Sequence, residues 1–551
     1  MLSLFLALCS LLVSHTLALP TSRRFSARNN NGQLKRRGNV IGSVGLGDNS
    51  DLLYTVPIQL GSTTTTVNLD TGSSDLWVIS SNCNSDLCAK THTPGVPAES
   101  LQFTGASVVM RYGDSTTGTF ASGPIASDTV AIAGVAIDNQ MFAAINDTTN
   151  TVVNFGAAGI FGLGFPSESL IQGAQVTHEF GAQTTTDHFV ASTYANGPLI
   201  TRIAQSGALE MPMFAISLQR STIDVSGTGA LTLGALPQGV DNSSLTWVPV
   251  RLYTGPEGGI TPPTFAPDEV YPLRWEVDIE AVFLDGKKLD ESAIPATGGV
   301  SSTRTSALLD TGNSILRGPS DVVTNILSTI SPNYTPENAN SATLACAAAH
   351  NLTFQIGGQM FPIDPRDLIS PLSANDASNC VVDNLVATDA PAVGALFRWS
   401  LGDPFFKSNL VVFHYGNLTN PSQDPPRIGI LSQVPADAVD LLNQAVQSAA
   451  ANGGNFDCAT LIFAPTEEVE NQPAVTVSPG AASAQAAALT DTHAPAPTAP
   501  AATGATGGDT VVAAQPTPSG KGAKSGAAAP VRVPWLLALA AAALGAVVTG
   551  W

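Results

Sequence analysis

The chain has 551 residues, more than a single compact core normally holds, so two or more lobes, or one large domain with tails, are expected. It carries 43 Asp and Glu against 23 Lys and Arg, a formal net charge of −20, which argues against nucleic acids and anionic membranes as partners. Only 12% of residues are charged, whereas Gly (50) and Pro (38) are abundant. Turns should therefore outnumber long helices, and a β-rich fold is predicted.

The N-terminus has the pattern of a secreted protein. An apolar run from Leu2 to Val13 is followed by small residues near Ala18, which predicts a cleaved signal peptide over residues 1–18. Residues 19–37 contain six basic residues and no acidic one, and we interpret them as a short propeptide. Its final Lys35-Arg36-Arg37 would suit a furin- or kexin-type processing protease. A disordered basic arm is the alternative.

The C-terminus is also divided into segments. Residues 436–462 form a predicted extension, and residues 463–532 consist mainly of Ala, Thr, Pro, Ser and Gly, as in an O-glycosylated stalk. Residues 533–551 are almost wholly apolar and follow the small residues Ser525-Gly526-Ala527, which predicts a glycosylphosphatidylinositol signal with attachment at Ser525. A transmembrane anchor is the alternative, although it would normally keep cationic residues on its cytosolic side. We expect a secreted protein that a lipid anchor holds at the plasma membrane or cell wall.

Cysteines and glycosylation sequons agree with this route. One cysteine lies in the signal peptide, and Cys83 with Cys88, and Cys346 with Cys380, could form a short and a longer disulfide loop, which leaves Cys458 as the odd one. The chain contains five N-x-S/T sequons, at Asn146, Asn242, Asn333, Asn351 and Asn417. The seven histidines are scattered without metal-site spacing, so neither a metal nor a cofactor is predicted.

A short internal repeat carries the chemistry. The pattern L-D-T-G-x-S-x-L occurs at Leu69–Leu76 and again at Leu309–Leu316. Each copy follows a β-branched or apolar stretch, so each Asp-Thr-Gly is predicted at a tight turn that leaves a buried strand. One such tripeptide would be an ordinary turn, but two copies with matched flanks are not expected by chance.

Placed face to face, Asp70 and Asp310 would form a pair of coupled carboxyl groups. Two like charges cannot both ionise in a low-dielectric site, so the pair would hold one proton. One carboxylate could then act as general base on a water while the other protonates a substrate carbonyl. Both loops also contain glycines for close approach and threonines whose hydroxyls can brace the loops, namely Gly72, Gly312, Thr71 and Thr311. This is chemistry for amide hydrolysis without a metal or a covalent intermediate.

On these motifs the chain resembles the pepsin-like aspartic endopeptidases of peptidase family A1, and especially fungal secreted and GPI-anchored cell-surface members, over roughly residues 51–431. The resemblance implies an all-β, bilobal fold with two β-barrel-like lobes, near residues 38–237 and 238–435, and a cleft between them. It implies that Asp70 and Asp310 are the catalytic pair and that Thr71 and Thr311 brace their loops. Short helices are expected around 320–329 and 436–451.

The resemblance extends to the flap hairpin and to substrate-binding positions. Residues 108–115 resemble the flap, with Tyr112 in the tyrosine position and Trp77 as the residue that orients it. Ser73 matches the family's hydroxyl beside the first aspartate, whereas Asn313 stands where the second lobe usually has Thr or Ser, so altered tuning is expected. The implied substrate-binding residues are Gly72, Ser73, Tyr112, Gly113, Asp114, Gly312 and Asn313. Residues 160–162 and 400–402 resemble the elements behind the two loops, and both cysteine pairs fall where the family's common disulfides lie.

The sequence therefore predicts an aspartic endopeptidase that acts on polypeptides at acidic pH, as a monomer without a cofactor. Two alternatives remain at this stage: a catalytically inactive pepsin-like binding or inhibitor protein at the cell surface, and a structural wall glycoprotein. Inactive relatives usually lack an Asp, a Gly or the flap Tyr, and all of these are present here.

Overall fold

A computed structural model describes residues 42–300, 304–338, 341–463 and 475–477. The predicted signal peptide and propeptide, nearly all of the stalk, and the attachment signal with Ser525 lie outside these residues. The strands and helices named below all belong to one compact unit. In this described part of the chain, no helix combines the length and apolarity needed to span a membrane.

Short strands make up most of the described chain. In the N-terminal half, strands β1 to β12 are Gly42–Gly45, Gly47–Asp48, Tyr54–Leu60, Thr63–Asp70, Leu76–Ile79, Gln102–Tyr112, Thr119–Ile132, Val135–Ile145, Asp147–Thr148, Gly159–Gly162, Met213–Ser217 and Ala230–Leu233. In the C-terminal half, strands β13 to β21 are Thr246–Pro249, Leu252–Tyr253, Tyr271–Pro272, Glu276–Asp278, Ala281–Leu284, Lys287–Lys288, Ser306–Leu309, Leu316–Gly318 and Thr343–Ala345. Strands β22 to β30 are Leu352–Ile356, Gln359–Pro362, Ser370–Pro371, Asn379–Val381, Leu385–Ala387, Trp399–Leu401, Asn409–His414, Arg427–Ser432 and Val475–Val477.

The helices are few and short. Helices α1 to α8 are Leu170–Phe180, Thr186–Ala191, Thr193–Asn196, Leu199–Gln205, Ser320–Ile330, Pro365–Leu368, Asp403–Ser408 and Ala438–Ala451. Both helices expected from the sequence are confirmed as α5 and α8. The group α1 to α4 was not predicted, and its first helix begins where the Ser169 side chain accepts the Gln172 N–H as an N-cap.

Three sheets organise the fold around the Asp-Thr-Gly loops, and the one that contains β19 has the order β16-β19-β27-β20-β26. In the N-terminal half the strands run in the order β2-β3-β4-β10-β5-β8-β7-β6, and β3 also pairs with β7, so this sheet closes on itself. A six-stranded sheet in the order β1-β12-β11-β28-β29-β13 takes three strands from each half of the chain. It joins the two halves by continuous backbone hydrogen bonding, with Phe214 paired to Phe413 at its centre.

Each Asp-Thr-Gly loop follows a strand whose last four residues are buried and which has a parallel neighbour. Strand β4 pairs with β10, which places Leu69 beside Phe161, and β19 pairs with β27, which places Leu309 beside Leu401. These neighbours are the segments that the resemblance placed behind the loops. Their apolar side chains fix both strand ends in the core, so the loops start from rigid positions.

An aromatic cluster lies directly behind the first loop. The Trp275 ring packs 4.2 Å from the Phe165 ring and 5.0 Å from the Phe413 ring, measured between centroids. The Trp275 indole and the Tyr415 hydroxyl both donate to the Leu163 carbonyl, and the Leu163 N–H donates to the Asp70 carbonyl. The cluster contains residues from both halves of the chain, so it couples the packing of the core to the position of Asp70.

Both predicted disulfides are present, Cys83–Cys88 and Cys346–Cys380, and Cys458 lies outside them. The sequon asparagines are exposed except Asn417, which is half-buried; their glycosylation stays a prediction. The predicted extension contains α8 and then returns to the N-terminal half, where Ile462 exchanges two backbone hydrogen bonds with Asp48.

Candidate active site

Asp70 ends β4 and Asp310 directly follows β19, so equivalent turns present both carboxyl groups. The Gly72 N–H donates to Asp70 Oδ1 at 2.8 Å, and the Ser73 hydroxyl donates to Asp70 Oδ2 at 2.5 Å. On the other loop the Gly312 N–H donates to Asp310 Oδ1 at 2.9 Å. Each loop therefore has the same hydrogen bond from its glycine N–H to its aspartate, and only the first loop adds a hydroxyl donor.

The two threonines brace the loops against each other, as the sequence predicted. The Thr71 hydroxyl donates to the Leu309 carbonyl at 2.7 Å, and the Thr311 hydroxyl donates to the Leu69 carbonyl at 3.1 Å. Each hydroxyl also accepts the other threonine's backbone N–H, at 3.0 and 3.1 Å. Four buried hydrogen bonds thus lock the loops together, which keeps the carboxyl groups preorganised.

The glycines after the threonines allow the carboxyl groups to approach. A methyl group on Gly72 would lie 2.3 Å from Asp310 Oδ1, and one on Gly312 would lie 2.4 Å from Asp70 Oδ1. Each carboxyl group thus rests on the α-carbon of the opposite loop. The two carboxyl groups also lie within hydrogen-bonding reach of each other.

Burial and mutual repulsion set the protonation of the pair. Burial, followed by the neighbouring Asp70 charge, raises the pKa of Asp310 to about 7. Burial also raises the pKa of Asp70, but the Ser73 hydroxyl and the Gly72 N–H oppose that rise. Asp310 is therefore the member that holds the shared proton, and Asp70 is the member that stays ionised.

Asn313 explains why the second aspartate lacks a side-chain donor. Its amide nitrogen donates to the Ser400 hydroxyl at 2.9 Å and not to Asp310. Its amide oxygen accepts from the Arg317 Nε at 3.3 Å. The side chain is turned behind the loop and is nearly buried. The expected change in tuning thus takes the form of a missing hydrogen bond to Asp310.

The flap is the hairpin of β6 and β7, whose tip covers residues 113–118. Along β6 the side chains of Ala106, Val108 and Met110 are buried while those between them are exposed, which is the alternation of a half-buried strand. The Tyr112 ring lies 6.4 Å from the Trp77 ring. Burial and then the Asp70 charge raise the pKa of Tyr112, so its hydroxyl stays protonated beside Ser73 and Trp77. The structure therefore brings the predicted flap tyrosine to the first aspartate loop.

The flap tip also makes two contacts that sequence reasoning missed. Asp114 Oδ1 accepts the N–H groups of Thr116 and Thr117, while its Oδ2 forms an ion pair of 2.5 Å with Arg317. The Ser115 hydroxyl and N–H both donate to the Asp389 carboxylate, at 2.6 and 2.9 Å. The carboxylate of Asp114, a residue that the resemblance assigned to substrate binding, is thus held by its own turn and by Arg317.

One signal in the sequence could have identified Arg317. It is the seventh residue after Asp310, just as Trp77 is the seventh residue after Asp70. Asp389 has no such signal, because it lies outside the repeat. In the described part of the chain, no group of three or more His, Cys, Asp or Glu residues is arranged to hold a metal ion.

Comparison with known proteins agrees with this geometry. The family model for eukaryotic aspartyl protease matches residues 53–420. Similar curated proteins include cathepsin E of Mus musculus, 28% identical over 358 residues (64% of this chain and 74% of that protein), and pepsin A of Sus scrofa, 28% identical over 359 residues (64% and 75%). An aspartic protease of Phaffia rhodozyma is 24% identical over 374 residues, 67% of this chain and 75% of that protein.

The chain belongs to the eukaryotic aspartyl protease family and has the pepsin-like, bilobal, all-β fold that its sequence predicted.

Proposed function

We propose that the protein is an active endopeptidase that hydrolyses peptide bonds of polypeptides at acidic pH. The observation that carries this proposal is the pair of facing carboxyl groups, Asp70 and Asp310, held within hydrogen-bonding reach of each other by the braced loops. The inactive alternative is not favoured, because both aspartates, both loop glycines and the flap tyrosine are present and placed together.

The unequal environments assign the two roles. Asp70, ionised and stabilised by two donors, takes a proton from a water lying between the carboxyl groups. Asp310, protonated, donates its proton to the carbonyl oxygen as the water oxygen bonds to the carbonyl carbon. In the second step the C–N bond breaks, the departing nitrogen takes up the proton that Asp70 received, and one hydroxyl of the tetrahedral intermediate returns its proton to Asp310. The products are a carboxylic acid and an amine, and the flap excludes other water during the reaction.

Substitution of either aspartate tests the mechanism. We expect Asp70→Asn and Asp310→Asn to abolish cleavage of an unfolded protein at acidic pH, because each removes one ionisable partner with little change in volume. The matched control is Asp278→Asn, which changes an exposed carboxylate whose partner is Arg304 and should leave turnover unchanged. Product masses that sum to the substrate plus one water would confirm hydrolysis. Near wild-type turnover in either active-site variant would refute the mechanism.

We also propose that the enzyme is secreted as a monomer and remains at the cell surface through a lipid anchor. The support is the order of segments in the sequence: an apolar N-terminus, a basic stretch ending in Lys35-Arg36-Arg37, a Ser/Thr/Pro/Ala-rich stalk and an apolar C-terminus. Phosphatidylinositol-specific phospholipase C should release the protein from intact cells. If the protein stays bound and still carries its last ten residues, a transmembrane tail is the correct account.

A further inference from the structure

We propose that Arg317 is a positioning residue that fastens the flap over the two aspartates by linking the flap tip to the second Asp-Thr-Gly loop. The proposal rests on the proposed function for its catalytic consequence, and on contacts between described residues for its geometry. No comparison above assigns a role to this arginine.

The internal repeat gives the first argument. Trp77 and Arg317 are equivalent positions, because each directly follows one copy of the repeat and is the second residue of its strand, β5 or β20. Trp77 contacts Tyr112 at the base of the flap tip, and Arg317 contacts Asp114 two residues further on. The residue directly after each copy of the repeat therefore contacts the flap, Trp77 through ring packing and Arg317 through charge.

The geometry of the ion pair also supports this role for Arg317. Arg317 Nη1 lies 2.5 Å from Asp114 Oδ2, while Arg317 Nε lies 3.3 Å from Asn313 Oδ1. One guanidinium thus joins the flap to the loop of Asp310, using the fork of donors that distinguishes Arg from Lys. Both side chains are largely shielded from solvent, with exposures of 22% for Arg317 and 14% for Asp114, so salt screens the pair less than a surface pair.

The pair between Asp114 and Arg317 should also persist at the acidic pH where the reaction is proposed to run. Burial alone would raise the pKa of Asp114. The N–H groups of Thr117 and Thr116 and the charge of Arg317 outweigh burial and lower this pKa. Asp114 therefore remains ionised at pH values where an aspartate with an ordinary pKa would begin to take up a proton. The second flap contact, from Ser115 to Asp389, also joins the tip to the C-terminal half of the chain.

Arg317 also acts on the catalytic pair through its charge. The charged groups that act on Asp310 include Asp70 and Asp403, which disfavour its ionisation, and Arg317, which favours it. Removal of the Arg317 charge should therefore raise the pKa of Asp310 further. Since activity needs one proton on the pair, the alkaline limb of the pH profile should move to higher pH.

The main test is Arg317→Gln in the full chain. We expect kcat/KM to fall by about tenfold, the loss expected from one charge-assisted hydrogen bond, and the alkaline limb to move upward. Arg317→Lys should keep the limb near its wild-type position but recover only part of kcat/KM. Asp114→Asn should reproduce the loss, and the double variant should lose no more than either single one. The matched control Arg304→Gln, in an exposed pair with Asp278, should match wild type.

Amide hydrogen exchange measures how firmly the flap is held and does not depend on catalysis. In the inert Asp70→Asn background, adding Arg317→Gln should speed amide hydrogen exchange in residues 108–120, and adding Arg304→Gln should not. Unchanged exchange, or additive losses in the double variant, would overturn the proposal. If the wild-type chain cleaves nothing, the proposed function fails, and the exchange measurement alone still decides whether Arg317 holds the flap.

Discussion

At the scale of single residues, hydrogen-bond donors and local charges determine which of the two aspartates is ionised and which is protonated. Asp70 accepts a hydroxyl and an N–H, whereas Asp310 accepts an N–H but no side-chain donor, because Asn313 is turned toward Ser400. Donors to a carboxylate favour its ionised form. The two aspartates are therefore not equivalent, and the shared proton is expected on Asp310.

Ser73→Ala should weaken the ionised form of Asp70. Without its hydroxyl donor the pKa of Asp70 rises, so Asp70 becomes protonated at a higher pH and the acid limb of the kcat/KM profile moves upward. At the lowest active pH the loss should be about tenfold, as for one hydrogen bond to a charged group. Steady-state kinetics across acidic pH values checks this. An acid limb that stays in place would show that Ser73 does not tune Asp70.

Asn313→Thr should act on the other member of the pair in the opposite sense. A hydroxyl placed beside Asp310 would donate to its carboxylate and lower its pKa. The proton shared by the pair would then be lost at lower pH, and the alkaline limb would move downward. The measurement is the pH profile of kcat/KM for Asn313→Thr, compared with the profile of the wild-type chain. An upward movement of the limb would contradict the assignment of Asn313.

At the scale of elements, the flap hairpin depends on alternation along β6 and on its contacts at the tip. The inward residues Ala106, Val108 and Met110 belong to the same buried cluster as Trp77. Packing at the base and the pair between Asp114 and Arg317 at the tip therefore hold the hairpin from two sides. The tyrosine sits between these two regions.

Tyr112→Ala should lower kcat/KM by about a hundredfold, because it removes the ring that packs near Trp77 and lets the flap sit loosely over the aspartates. Tyr112→Phe keeps the ring and loses only the hydroxyl, so its loss should be smaller. Peptide hydrolysis assays on both variants check this. Equal activity of Tyr112→Ala and wild type would mean that the hairpin is not the flap.

At the scale of the whole molecule, several buried carboxyl groups should make the stability of the fold depend on pH. Burial raises the pKa of several carboxyl groups: Asp48, Asp70, Asp75, Asp310, Asp383, Asp403 and Glu276. Asp48 lies in a buried cluster that joins the two halves of the chain, where Lys407 pairs with Asp51 and Arg220 pairs with Asp367. Burial alone would raise the pKa of Asp367, but the charges of Arg220 and Lys407 lower it to about 2. The ion pairs of Asp367 should therefore persist until the pH is very low.

Stability should therefore decrease as pH rises from the acidic range to neutrality. Burial and then the Asp51 charge raise the pKa of Asp48 to about 7 from 3.8. Between these values the folded state binds more protons than the unfolded state, so the free energy of unfolding falls with rising pH, by an amount of the order of a few kcal/mol. Asp48→Asn should remove part of this dependence in denaturant unfolding between pH 4 and pH 7. Asp278→Asn should retain it, and full wild-type dependence in Asp48→Asn would contradict the assignment.

Short-range patterns made the active site predictable. The two Asp-Thr-Gly turns, their bracing threonines and the flap tyrosine are each fixed by a few adjacent residues, whose turn and strand chemistry is local. The repeat then implied that Asp70 and Asp310 meet, and the structure places them so. Helices α1 to α4 were missed because no comparable motif marks them.

The sequence by itself determined the pair of aspartates and the short Cys83–Cys88 loop, because repeated or closely spaced residues encode them, and its resemblance to a known family supplied the fold class and the Cys346–Cys380 pair. Only the tertiary structure decided which way Asn313 turns, that Arg317 holds Asp114, and that Asp389 holds Ser115. The last two contacts join residues 203 and 274 positions apart in the chain. Charged side chains at such separations have no common periodicity, so their pairing follows from how the sheets place the flap against the second aspartate loop.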